Sequence, residues 1–170
     1  MKTISKKVCL LGDFAVGKTS LVKRFVYNIF EDKYLSTIGV HVSRKALSLP
    51  QPAGMIDLAM MLWDIAGNNG FEHVRSSYVR GAAGAVLVCD LTRPQTVDNL
   101  RDYVDLLSSV SPDARLIVAA NKHDLAAQVV TRAEVEAAAR KFNAPLFFTS
   151  AKTGSEVEAL FRQLGQLLVG

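Results

Sequence analysis

The run Gly12-Asp13-Phe14-Ala15-Val16-Gly17-Lys18-Thr19 has the residue types and spacing of a loop that cradles phosphate. Its glycines allow tight turns, so successive backbone amides from Asp13, Phe14, Ala15, Val16 and Gly17 can wrap around a β-phosphate. Lys18, Thr19 and Ser20 open a helix, whose first turn adds favourable partial charge. Lys18 can reach the β- and γ-phosphates, where its charge serves both binding and catalysis, and the Thr19 hydroxyl can ligate Mg²⁺.

Three further segments extend this chemistry. In Trp63-Asp64-Ile65-Ala66-Gly67 an acidic residue ends an apolar run and a glycine follows three places later. Asp64 can join a Mg²⁺ shell, usually through water because this ion dehydrates reluctantly. The Gly67 amide can approach a γ-phosphate with no side chain in the way. Asn121-Lys122-His123-Asp124 bears on the choice of base. An ionised Asp124 accepts hydrogens from the ring N–H and exocyclic amine of guanine, whereas adenine presents an acceptor where guanine has a donor. Thr149-Ser150-Ala151-Lys152 is the fourth segment.

Elements that would position these residues can be read from periodicity. Val8-Cys9-Leu10-Leu11 reads as a strand feeding the phosphate loop, and residues 18–27 carry helical spacing through Leu21, Val22 and Phe25. Residues 40–49 and 56–63 flank Pro50-Gln51-Pro52-Ala53-Gly54 and predict an antiparallel hairpin with an extended loop. Residues 85–89, 116–120 and 146–148 are short apolar runs expected to be buried parallel strands. Thr131 with Glu134, and Ser155 with Glu158, have the spacing of helix starts. Val157, Leu160, Phe161, Leu164, Leu167 and Leu168 give the last helix one apolar face. Alternating strands and helices imply a doubly wound α/β sheet, with all four segments at strand C-terminal ends beside one crevice.

At 170 residues, 1–170 is expected to form one domain that buries its own core. The net charge of +4 is spread in short runs such as Lys6-Lys7 and Lys23-Arg24, so no patch argues for nucleic acid. Cys9 and Cys89 lie inside apolar runs and are expected to be buried, reduced and inert. His41, His73 and His123 lack ligand spacing, so zinc is not expected. Met60 and Met61 read as core filler; Trp63 and Phe71 fit either a structural role or an effector surface. No apolar run reaches the roughly 18 residues of a membrane span, and the N-terminus lacks a signal-peptide stretch, which points to the cytoplasm. The final residues, Gln166-Leu167-Leu168-Val169-Gly170, contain no cysteine for prenylation and so no direct membrane anchor.

Over essentially its whole length the chain resembles the Ras-like small GTPases, and its motifs are most similar to the Rab branch. The motifs are Gly-Asp-x-Ala-Val-Gly-Lys-Thr-Ser at 12–20, Ser-Thr-Ile-Gly-Val at 36–40, Trp-Asp-x-Ala-Gly at 63–67 and Arg-Ser-Ser-Tyr-Val-Arg-Gly-Ala at 75–82. The resemblance implies the small G-protein fold: a six-stranded, mostly parallel sheet with one antiparallel strand and about five flanking helices. It also implies that Thr37 binds Mg²⁺ and the γ-phosphate, that Phe30 lies against guanine and that Tyr34 closes over the phosphates. By the same resemblance Lys122 packs its stem on the base and Ala151 offers its amide to the guanine oxygen. Departures are equally specific. Asn68 stands at the family's catalytic glutamine, Asn69 and Gly70 replace the usual Glu-Arg, and Phe14 replaces a small residue. The loop at 50–54 lengthens the usual connection between the switches.

The implied function is a molecular switch that binds GTP or GDP with Mg²⁺ and hydrolyses GTP slowly. Loops 30–40 and 66–80 would signal to effectors, exchange factors and activating proteins, which could also recruit the chain to a membrane. A GTP-binding interaction module with negligible hydrolysis is the alternative, because Asn68 alters the water-positioning residue. A phosphate-loop kinase has little support, since no acceptor-binding or lid insertion is evident.

Overall fold

The computed structural model describes residues 2–33, 37–67 and 76–170. Its strands are β1 (Lys2–Leu11), β2 (Val40–Gln51), β3 (Gly54–Ile65), β4 (Gly84–Asp90), β5 (Arg115–Asn121) and β6 (Leu146–Phe148). The helical segments are α1 (Lys18–Tyr27), α2 (Ser76–Val79), α3 (Gln95–Asp98), α4 (Leu100–Val110), α5 (Arg132–Lys141) and α6 (Val157–Val169). Asn99 both ends α3 and starts α4, so these two pieces form nearly one helix.

One sheet runs in the order β2-β3-β1-β4-β5-β6. Among the described residues only the β2–β3 pairing is antiparallel. Strand periodicity sends alternate residues to opposite faces, and the core divides accordingly. Val8 and Leu10 of β1, Val86 and Val88 of β4, and Ile117 and Ala119 of β5 join the layer under α1 and α6. Their neighbours Cys9, Leu11, Leu87, Cys89, Val118 and Ala120 join the opposite layer with Tyr103, Leu107 and Val135. Burial on both faces explains why the central strands read as continuous apolar runs rather than alternating ones. On the α1 side, Phe25 stacks on Phe161 with ring centroids 4.1 Å apart.

Several local expectations are corrected. The hairpin loop is not extended: Gln51 pairs with Gly54 and Pro50 with Met55, so only Pro52 and Ala53 turn the chain. The hairpin's length lies in its two strands of 12 residues each. Pro50 is accommodated because β2 is an edge strand, where a missing amide costs no ladder bond. β1 begins at Lys2, six residues before the apolar run, because its polar half still pairs with β3. The Thr131–Glu134 capping box forms, but α6 starts at Val157 after a left-handed Glu156 with no side-chain cap, so Ser155 and Glu158 make no box. Glu158 instead pairs with Arg162 one turn on. Met60 is core, whereas Met61 is only half-buried.

Candidate nucleotide and metal site

The C-terminal ends of β1, β3, β5 and β6 open on a cavity of about 360 Å³. That size is within the ordinary range for a small-molecule site. Phe14, Ala15, Gly17, Lys18, Thr19, Ser20, Phe30, Thr37, Gly67, Asn121, Lys122, Asp124, Ala151 and Lys152 all line it. Thus segments separated by more than a hundred positions meet at one place. Tyr34 and Asn68 lie outside the described residues, as do Asn69, Gly70, Phe71 and His73.

The phosphate end is built by β1 stopping at Leu11 and α1 starting at Lys18. Between them Ala15 adopts a left-handed φ of 61°, uncommon for a residue with a Cβ. Gly17 caps α1 with φ 107° and, among the described residues, no side chain satisfies the first turn. Those amides are therefore available to an anion. Lys18 Nζ donates to the carbonyls of Gly12 at 2.8 Å and Asp13 at 3.0 Å. A Cβ on Gly67 would come within 2.7 Å of Gly12 O and 3.0 Å of Lys18 Nζ, so this close approach requires glycine.

At the metal end, Thr19 Oγ1 donates to Asp64 Oδ2 at 2.5 Å and lies 2.6 Å from Thr37 Oγ1. Asp64 Oδ1 is buried without a hydrogen-bond partner among the described residues. An unpartnered buried carboxylate oxygen is costly, and three hard oxygen donors suit Mg²⁺. Thr19, Thr37 and Asp64 therefore fit that ion. The electrostatics point the same way. Burial pulls the Lys18 ammonium down to about 8, although Asp64 and Asp13 oppose the shift. Burial also raises the Asp64 carboxyl, against the Thr19 hydrogen bond and the Lys18 charge. Each charge is expensive where it sits, and an anion beside Lys18 with a cation beside Asp64 would lower both costs.

The base end is fixed by side chains. Asn121 donates to Val16 O at 2.9 Å and accepts from Thr149 Oγ1 at 3.1 Å, tying three of the segments together. Ser150 Oγ donates to Asp124 Oδ1 at 2.7 Å, which aims the carboxylate. Four of the described predicted residues, Asp13, Val16, Ser150 and the metal-site Asp64, are not in the cavity wall. Asp13 turns its carboxylate to Asn99 and Tyr103, Val16 is fully buried, and Ser150 acts behind Asp124. For Asp13 and Val16 the backbone remains the group able to meet phosphate.

Sequence reasoning missed the braces. Arg24 donates to Ala151 O at 2.9 Å and Lys152 O at 2.6 Å, anchoring the base loop to α1. Asn99 and Tyr103 hold Asp13 at 2.7 and 2.9 Å, and burial together with that carboxylate keeps the Tyr103 hydroxyl protonated. Asp90 was legible in principle, because it ends an apolar strand, much as Asp64 lies one residue from the end of β3.

The Ras family model matches residues 7–169. Ras-related protein SEC4 of Saccharomyces cerevisiae is 32% identical over 163 residues, covering 95% of this chain and 74% of SEC4. GTP-binding protein ypt5 of Schizosaccharomyces pombe is 36% identical over 169 residues, covering 98% of this chain and 79% of ypt5.

Proposed function

This chain belongs to the Ras family of small GTPases, nearest in its motifs to the Rab branch, and from that premise we propose a switch that holds GTP or GDP with Mg²⁺, hydrolyses GTP slowly and signals through residues 30–40 and 66–80. The observation that carries this reading is the convergence of Thr19, Thr37 and the Asp64 oxygen that has no partner among the described residues, beside the buried Lys18 ammonium.

In this account the amides of the phosphate loop and the first turn of α1 bind the β-phosphate, and Lys18 neutralises charge on the β- and γ-oxygens. Mg²⁺ held by Thr19, Thr37 and Asp64 would neutralise charge developing on the transferred phosphoryl. Asp124 selects guanine, Lys122 and Phe30 flank the base, and the Ala151 amide meets the guanine oxygen. Thr37 and Gly67 belong to different switch segments, so loss of the γ-phosphate releases both at once.

Hydrolysis is slow in this account because Asn68 is one methylene shorter than glutamine, and misplacing the attacking water by an ångström costs on the order of 10²-fold. Phe14, 37% exposed at the mouth of the cavity, narrows the approach to the γ-phosphate for an arginine from an activating protein. Effectors, exchange factors and activating proteins are the partners. Among the described residues no helix is long and apolar enough to cross a membrane. We place the chain in the cytoplasm, with partners bringing it to membranes. Single-turnover phosphate release from GTP-loaded protein tests the reading. Slow release above the spontaneous rate is expected; release at the spontaneous rate, with and without cell extract, would leave a binding module.

A further inference from the structure

Asp90, the last residue of β4, has a carboxylate only 1% exposed. A charge at that depth is tolerated only when it is paired and hydrogen-bonded. Both of its oxygens are committed. Oδ1 accepts from the Thr92 amide at 2.8 Å and the Thr92 hydroxyl at 2.7 Å. Oδ2 accepts from Arg93 Nε at 3.0 Å and Lys122 Nζ at 2.8 Å. Thr92 thus fixes the carboxylate's orientation, while its other oxygen holds two cations that would otherwise repel each other.

Those cations lead to opposite ends of the cavity. Lys122 lines its base end, and its ammonium reaches back to Asp90 at the end of β4. With the ammonium held, the four-carbon stem is stretched along the wall instead of sampling rotamers, which removes an entropic cost from ligand binding. Arg93 continues from Asp90 to the phosphate loop, where Nη2 donates to Phe14 O at 2.7 Å. In a trans peptide the N–H points opposite to the C=O, so holding the Phe14 carbonyl also fixes the direction of the Ala15 amide. Arg93 does not line the cavity.

The geometry points to Asp90 as a positioning residue that, through Lys122 and Arg93, locks the base loop and the phosphate loop into one rigid wall and so slows nucleotide release. This inference rests on the reading of the cavity as a guanine-nucleotide site. Burial alone would raise the Asp90 carboxyl, but hydrogen bonds from Lys122 and Thr92 outweigh it, so the group stays ionised at neutral pH. Both cationic partners are about one-third exposed. They can rehydrate when the carboxylate is removed, which limits the damage to the fold.

The test is the dissociation rate of a fluorescent GDP analogue from the full chain, chased with excess GDP in Mg²⁺. Asp90→Asn keeps the volume and both Thr92 bonds but loses the charge. It should release the analogue about tenfold faster or more. Paired with Lys122→Met, the combined acceleration should fall well short of the product of the single effects, because Asp90 acts through Lys122. A purely architectural Asp90 would give the full product. Arg93→Gln, a partly exposed residue outside the cavity, should also speed release at least threefold, and this variant decides the matter if Asp90→Asn does not fold. Unchanged rates in the variants, or full multiplicativity, would overturn the assignment. A parent chain that does not retain the analogue would overturn the nucleotide reading itself, and this inference with it.

Discussion

The hydroxyls of Thr19 and Thr37 lie 2.6 Å apart, although one opens α1 and the other belongs to the loop before β2. Thr19 also donates to the buried Asp64 carboxylate, so a cation placed among the three would hold that loop against the phosphate helix. Thr19→Asn removes one hard oxygen and inserts an amide. Mg²⁺-dependent GTP binding should weaken by at least about tenfold, and GDP binding by less. Retention of GTP and Mg²⁺ at parental affinity in equilibrium titration would remove Thr19 from the ligand set.

Asp124, aimed by Ser150, is expected to carry base choice. Asp124→Asn should cost GDP on the order of 10²-fold or more, because guanine donors then meet an amide. Preference should move toward xanthine nucleotides, whose carbonyl accepts from that amide. Competition titrations of GDP against xanthosine diphosphate read the change, and an unaltered order would assign selectivity elsewhere.

Cys9 and Cys89 are fully buried, and burial pushes both thiols up to about 12. At pH 8 their thiolate fraction is then about 10⁻⁴, against about a quarter for a free cysteine. A thiol reagent should leave the native chain unlabelled over minutes and label both cysteines after denaturation. Rapid labelling of the native protein at either position would contradict the packing of β1 and β4.

Much of the site was legible because phosphate chemistry is written locally. The turn, the lysine and the hydroxyl of the phosphate loop must be neighbours in sequence, and Asp64 lies at the end of one recognisable strand while Asp124 follows another. The sheet was legible for a related reason, since burial on both faces leaves apolar runs. What escaped depends on contacts between distant segments. Nothing near Asp13 announces that Asn99 and Tyr103 will hold it, and Arg24 looks like an ordinary surface arginine until Ala151 folds against it. The polar half of β1 escaped because its strand character comes from pairing with β3, not from its own residues. The turn at Pro52-Ala53 was obscured by two prolines, one of which sits harmlessly on an edge strand.

Asn68 and Phe14 together set the expected hydrolysis rate. Asn68→Gln should raise the intrinsic single-turnover rate, by up to about 10²-fold if water placement is limiting. Phe14→Gly should help mainly when an activating protein is present. A parent chain that already turns over faster than Asn68→Gln would mean that another residue positions the water.

The most direct test of the account is an equilibrium competition of GDP, GTP and ADP for the full chain, with and without Mg²⁺. The geometry predicts tight guanine-nucleotide binding, ADP weaker by on the order of 10⁴-fold, and GTP affinity that collapses when Mg²⁺ is chelated. Equal affinity for ADP and GDP, or GTP binding indifferent to Mg²⁺, would contradict it.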